Sequence, residues 1–532
     1  MAAAPLARKA RKHSLSWALS VLALGCCTTL VAALPAAGQP TRMENLIPLP
    51  SSVNSTGGIF ELKRGAKIQV SPATPELRAI AQYLAERLNP ATGFGIPVVA
   101  AKGAAAKGAI SLSTVGGRAA LGEEGYELKV TRDHVTLVAH GPAGLFRGVQ
   151  TLRQLLPPKI EQSQVQEGPF EMPTGVIRDR PRFQWRGLSL DIARCFFGAP
   201  EIKRYVDLMA YYKLNRLHLH LSDDQGWRIE IKSWPKLTSV AGGTAMAGGT
   251  SGFLTQEEFA GIVAYAQSRY ILVVPEIDMP GHTNAALSAY PELNCDGQAP
   301  APYTGDEVGF SSLCLSKEIT YKFVDDVIRE LAAITPGPYI HIGGDETLKT
   351  PEADYSRFVA RALAIVKAHG KQPIGWGEVA KTERIAGVIV QHWIPNAPDL
   401  AKETVAKGAK LIMSPASKAY LDMKYTAATK LGQDWAGLIE VKDSYDWDPV
   451  KFVAGVNESD VLGVEGALWT ETIRTRGDID QMVFPRLSCL AEIAWSPAVG
   501  RGWEEFRIRL GAHGARFSGM AVDFHRSPQI SW

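Results

Sequence analysis

A (β/α)8 barrel preceded by a small α+β domain is the fold class that the sequence predicts, on three observations. Eight short buried runs, separated by helix-sized segments, follow the turn-rich stretch around Pro173. The stretch from Leu46 to about Glu171 instead mixes alternating runs with two amphipathic helices. Nearly every one of the eight later runs is followed by residues that a core would not choose, acids and tryptophans among them.

The chain opens differently. Arg8, Lys9, Arg11 and Lys12 precede an apolar run from Leu15 to Leu34, and small residues follow from Ala36 to Gly38. This is the pattern of a secretory signal peptide over residues 1–38, with cleavage expected near Gly38. A lipoprotein anchor at Cys26 is disfavoured, because Ala23 stands where leucine is usual and more apolar chain follows. The expected location is therefore extracellular or periplasmic. No membrane association is expected after cleavage, since no second stretch is long and apolar enough to span a bilayer.

The leader carries four basic residues and no acidic ones, so its removal takes the formal charge from +3 to −1. No basic stripe is left for nucleic acid. At 46% hydrophobic and 21% charged, the 532 residues can bury a large core. Export permits disulfides among Cys195, Cys295, Cys314 and Cys489. Cys295 and Cys314 flank a polar loop containing Gly and Pro, and a bridge is expected there.

The first domain, 43–172, is read from strands at Ile59–Leu62, Tyr126–Val130 and Val135–Val138. Thr74 before Pro75 marks a helix start, and Leu77, Ile80, Leu84 and Leu88 give that helix one apolar face. A second helix carries Leu145, Val149, Leu152 and Leu156. No cluster of reactive groups appears, so the expected role is structural.

The second domain, 176–532, holds the eight runs. They are Gly187–Ile192, Asn215–Leu221, Tyr270–Pro275, Tyr339–Gly343, Pro373–Gly375, Val388–Gln391, Ala409–Met413 and Val461–Ala467. After them come Asp191 and Arg194, Asp223, Asp278 and His282, Asp345 and Glu346, Trp376, Trp393, Tyr420 and Asp422, then Trp469 and Glu471. Converging acids, one arginine and several indoles describe a sugar pocket: charged groups for hydroxyls, indole faces for the apolar side of a pyranose.

The segments HIGGDE, RGLSLDIAR, LNRLHLHLSDDQGWRIEI, VVPEIDMPGH, YLDMKY and ALWTE together resemble glycoside hydrolase family 20, the β-N-acetylhexosaminidases. The likeness is strongest to secreted bacterial exo-acting members, and it covers nearly the whole mature chain. It implies hydrolysis of terminal β-linked N-acetylhexosamine by substrate assistance, in which the 2-acetamido oxygen attacks the anomeric carbon. Glu346 would then be the acid/base. Asp345 would hold the acetamido N–H and Tyr420 its oxygen. The resemblance places Trp376, Trp393 and Trp469 around the acetyl methyl, Arg194 on the 3- and 4-hydroxyls, Glu471 and Asp422 on the 4- and 6-hydroxyls, and Trp435 beneath the ring. Asp223 and His282 would tune Glu346, with Asp278 orienting the histidine. No cofactor is implied. A mildly acidic optimum is expected of an acid/base carboxyl in such a pocket.

One position departs from the family pattern: Cys195 follows Arg194 where histidine is usual, which would make the enzyme sensitive to thiol reagents if that cysteine were exposed. Three rival readings are weighed. His218 and His220 form an HxH that suits a metal-dependent hydrolase, although the resemblance needs no metal. A disaccharide-releasing relative and a non-catalytic sugar-binding protein are the others. Preference between N-acetylglucosamine and N-acetylgalactosamine, the natural glycan and the oligomeric state stay open.

Overall fold

The computed structural model describes residues 42–103 and 105–532, so the expected leader and Cys26 lie outside the described residues. The first domain contains β1 (Ser52–Glu61), β2 (Ile68–Ser71), α1 (Pro75–Thr92), β3 (Val98–Ala100), β4 (Ile110–Ser113), β5 (Tyr126–Val130), β6 (Val135–Ala139), α2 (Pro142–Leu155) and β7 (Glu171–Asp179). Its sheet runs in the order β1-β7-β5-β6-β4-β2-β3. Helix α1 starts where the sequence marks it: the Thr74 hydroxyl accepts from the Leu77 N–H at 3.3 Å, and Pro75 fills the first turn. Leu77, Ile80, Leu84 and Leu88 are all buried, as is the apolar face of α2 over β5 and β6.

The domain boundary at 172 needs correction. Strand β7 pairs with both β1 and β5, so the first sheet extends to Asp179. Pro173 suggests a turn, yet it lies beyond the end of the β5 pairing and next to a break in the β1 register, where a missing N–H is tolerated.

The second domain is a closed parallel barrel. Its strands are β8 (Trp185–Asp191), β9 (Arg216–His220), β12 (Leu272–Glu276), β13 (Tyr339–His341), β14 (Gln372–Trp376), β15 (Ile389–His392), β16 (Lys410–Met413) and β17 (Val461–Leu468); a small hairpin of β10 (Ser222–Asp223) and β11 (Gly226–Trp227) follows β9. Each matches an expected run. All eight barrel strands point the same way, so the loops after their C-terminal ends gather at one mouth.

Buried polar groups tie the first domain to the barrel. Asp179, at the end of β7, accepts from Tyr126 Oη at 2.7 Å, Lys213 Nζ at 2.9 Å and Trp495 Nε1 at 3.0 Å. Glu124 accepts from Arg147 and also pairs with Arg186 on β8. Burial of its own carboxylate would raise Glu124, but the guanidinium pair of Arg186 and Arg147 still draws it down to about 2.

Candidate active site

The segment after β13 turns through Gly343 and Gly344, both at positive φ of 68° and 102°. A Cβ at Gly343 would lie 1.8 Å from Asp278 Oδ1, so only glycine lets the β12 and β13 loops meet there. Glu346 (φ 47°) and His282 (φ 53°) also occupy the left-handed region, which costs a non-glycine residue energy and clusters at functional sites. The turn separates neighbouring carboxylates. Asp345 is buried, with Oδ1 lacking a hydrogen-bond partner, while Glu346 is partly exposed at the cavity.

Around this pair runs a chain of charge. Arg194 Nη2 lies 2.7 Å from Asp223 Oδ2, Asp223 Oδ1 lies 3.1 Å from His282 Nδ1, and His282 Nε2 lies 3.4 Å from Glu346 Oε2. Burial opposes the charged form of His282, but Asp223 outweighs it and holds the imidazolium well above its usual range. Burial would raise Asp223 too, yet Arg194 and His282 carry it well below the ordinary carboxylate value.

This network fits the tuning role expected of Asp223 and His282 and corrects the role expected of Asp278. Asp223, not Asp278, orients His282. Asp223 and His282 are fully buried and reach a sugar only through Arg194 and Glu346. Asp278 hydrogen-bonds Asp345 instead, and accepts from the Gly344 N–H at 3.0 Å. Burial pushes the Asp278 carboxyl up to about 8, and burial together with Asp278 raises Asp345 well above its usual range. Two acids in contact and out of water share one proton, so the protonated member donates to the other.

A cavity of about 310 Å³ opens above the pair. Arg194, Asp345, Glu346, Trp393, Tyr420, Asp422, Trp435, Trp469 and Glu471 line it. Trp393 stacks parallel to Tyr420 at 6.2 Å, and Trp435 meets both rings edge-on. Arg194 lies over Trp469, 4.9 Å from its ring centre. Trp376 also departs from its expected place: it is fully buried beside Trp469, its indole N–H donating to Glu276 at 2.7 Å, and is not among the residues lining the cavity. Burial followed by Glu471 raises Asp422 well above its usual value, and Asp422 Oδ1 also lacks a partner. Protonated or not, these oxygens suit hydroxyl groups.

Sequence reasoning missed three further lining residues, Asp306, Val308 and Gln433. It also missed Glu378, which accepts from Trp393 Nε1 at 3.0 Å and whose carboxyl burial raises. As an acid just after a barrel strand, Glu378 fits the pattern that singled out the others. Cys295 and Cys314 form the expected disulfide. Cys195 is buried, and burial raises its thiol, so the condition for reagent sensitivity is not met. The HxH pair faces carboxylates: His218 lies between Glu465 and Glu276, His220 between Glu276 and Asp223. Burial opposes charging of both rings, but these acids carry them up to about 9 and about 10.

Paired acids, a guanidinium and aromatic walls in one cavity at the mouth of a (β/α)8 barrel define a pocket-type glycoside hydrolase. The catalytic-domain profile of glycosyl hydrolase family 20 matches residues 183–498, and that of the family's domain 2 matches residues 43–180. The chain belongs to glycosyl hydrolase family 20.

Its relatives include a beta-N-acetylhexosaminidase of Cellulomonas fimi, 41% identical over 92% of this chain and 97% of that protein. Among solved structures, Streptomyces plicatus N-acetyl-beta-hexosaminidase in complex with Thio-NAglucal is 50% identical, with a TM-score of 0.90, covering 93% of this chain and 99% of that one. The GH20 beta-N-acetylhexosaminidase from Streptomyces coelicolor A3(2) is 47% identical, with a TM-score of 0.90, covering 93% of this chain and all (100%) of that one. A mutant of the Streptomyces plicatus enzyme in complex with product (GlcNAc) is 49% identical.

Proposed function

We propose that the chain is an exo-acting β-N-acetylhexosaminidase that removes terminal β-linked N-acetylglucosamine or N-acetylgalactosamine with retention of configuration. The observation that carries this reading is a buried Asp345 with an unpartnered oxygen beside Glu346, in a cavity that the nearly buried Arg194 and Asp422, with Glu471, also line. Those three grip a terminal sugar, which favours release of one residue over internal or disaccharide cleavage.

Glu346 gives its proton to the glycosidic oxygen as the bond to the anomeric carbon breaks. The acetamido oxygen of the same sugar attacks that carbon and an oxazolinium ion forms. Asp345 accepts from the acetamido N–H, which aims the oxygen and stabilises the growing positive charge, while Tyr420 donates to the acetamido oxygen. Water then opens the ring, its proton passing to Glu346. His282 Nε2, 3.4 Å from Glu346 Oε2, helps to hold that carboxyl in place for both steps. Both 4-hydroxyl epimers can be met by Arg194 and Glu471. The product in the Streptomyces plicatus complex supports N-acetylglucosamine as a unit taken.

Export as a bacterial secreted enzyme is part of the same reading, supported by the leader pattern over 1–38 and the Cys295–Cys314 bridge. Chitin fragments, glycoprotein glycans and cell-wall sugars are the substrate classes this location would offer.

The test is release of nitrophenol from the β-N-acetylglucosaminide by wild type and Glu346→Gln, with a thiazoline mimic of the oxazolinium ion as inhibitor. Turnover that collapses in the variant, with tight thiazoline inhibition of wild type, is expected. Folded wild type that binds N-acetylglucosamine without turnover would instead describe a sugar-binding protein.

A further inference from the structure

We propose that Val308 and Leu348, flanked by Asp306, form the platform that receives the leaving-group sugar, and that they select a neutral or amino-bearing sugar over an anionic one. This rests on the hexosaminidase reading and adds the leaving-group side to it. Glu346 protonates the oxygen that departs with the second sugar, so groups outward of Glu346 at the mouth face that sugar. Arg194, Asp422 and Glu471 occupy the other end.

Leu348 follows Glu346 by two residues, its N–H donating to the Glu346 carbonyl at 2.8 Å, and its side chain is 78% exposed. Val308 is 41% exposed and lines the same cavity. The two segments touch: a Cβ at Gly309 would lie 2.7 Å from Leu348 Cδ1 and 2.8 Å from the Glu346 carbonyl oxygen. Leu348 does not itself line the cavity but lies beside the Val308 segment that does, and exposed aliphatic side chains there have no core to serve and suit the C–H face of a pyranose.

The segment that presents Val308 is held at many points. The Cys295–Cys314 bridge closes it, Gln225 Nε2 donates to the Gly305 carbonyl at 2.8 Å, and the Ala247 N–H donates to the Thr304 carbonyl at 3.0 Å. Ser311 donates to Asp224 and accepts from the Thr283 N–H, beside His282. Tyr303 packs on Phe310 at 4.5 Å and accepts from the Glu307 N–H. A surface so fixed is preorganised for a ligand.

Charge sets the selection. Five carboxyl groups, Asp306, Asp345, Glu346, Asp422 and Glu471, line the cavity with one guanidinium, Arg194, and burial raises Asp345, Asp422 and Glu471 toward the neutral form. Asp306, contributed by the bridged loop, is exposed to solvent, so it is the acid that a leaving sugar meets. A carboxylate on the departing sugar meets repulsion, and an ammonium meets attraction.

The experiment uses three disaccharides with N-acetylglucosamine β-linked to N-acetylglucosamine, to glucosamine and to glucuronic acid. Wild type, the Val308→Ser/Leu348→Ser double variant and Asp306→Asn are compared on full-length enzyme, with the thiazoline inhibition constant reading the sugar-holding end alone. The double variant is expected to lose about ten-fold in kcat/KM on the neutral disaccharide, mostly through KM, with thiazoline inhibition unchanged. Asp306→Asn is expected to reduce the preference for glucosamine over glucuronic acid several-fold. Unchanged disaccharide kinetics in the double variant, while wild type turns over the nitrophenyl glycoside, overturn the platform alone. No turnover of any glycoside by wild type overturns the hexosaminidase reading as well.

Discussion

Asp278→Asn isolates the proton shared with Asp345. The Asp278 carboxyl is pushed up to about 8 by burial, from an ordinary value near 3.8, so the folded protein keeps a proton that the unfolded chain releases. The sign follows: the folded state binds more protons between about pH 4 and pH 8, and stability falls as pH rises through that window. The contribution is complete below about pH 4 and lost at about 1.4 kcal/mol per pH unit above it. Between pH 5 and pH 8 this comes to about 4 kcal/mol. With an unfolding entropy of about 1 kcal/mol per degree for a chain of this length, wild type should lose about 4 °C more Tm over that range than Asp278→Asn. The asparagine amide still donates to Asp345, so kcat at pH 6 should stay within about ten-fold. Scanning calorimetry of both proteins at matched ionic strength from pH 5 to pH 8 reads the difference. Parallel Tm profiles would show that no proton is shared, and the assignment of Asp278 as donor to Asp345 would fall.

Other perturbations separate the remaining roles. Tyr420→Phe removes a donor to the acetamido oxygen and should lower kcat by about 100-fold with a smaller change in KM, measured on the nitrophenyl substrate; an unchanged kcat would place that hydroxyl outside the reaction. Iodoacetamide should leave native enzyme fully active, because Cys195 is buried and its thiol raised; rapid inactivation with alkylation mapped to Cys195 would contradict that placement. EDTA dialysis should leave activity unchanged, given the imidazolium character of His218 and His220. Loss restored by zinc would revive the metal reading.

Much of this was legible in the sequence because barrel strands are short, buried and regularly spaced. Each expected run overlaps a strand, with slips only at the edges. Tyr270, for example, heads an apolar run but sits at φ 55° in the turn before β12. The pocket was legible because acids and indoles directly follow strand ends, where a barrel gathers them. What could not be read is how two such loops meet. Asp278 and Asp345 are far apart in sequence, and their contact depends on Gly343 leaving room, a property of the closed barrel. Asp223 likewise serves Arg194 and His282 rather than a sugar, because its hairpin folds inward under both. Trp376 lies too deep to touch the cavity, although its place at the C-terminal end of β14 gave no sign of it. Val308 and Asp306 sit in a long loop, where periodicity gives no position.

The most direct measurement of the substrate-assisted route is the rate on nitrophenyl glucosaminides whose acetamido methyl carries zero, one, two or three fluorines. Fluorine weakens the carbonyl oxygen as a nucleophile and leaves the rest of the sugar almost unchanged. Participation by that oxygen predicts a steep, progressive fall in kcat along the series for wild type. A flat series would mean that the acetamido group does not attack, and that a protein carboxylate or a water takes its place.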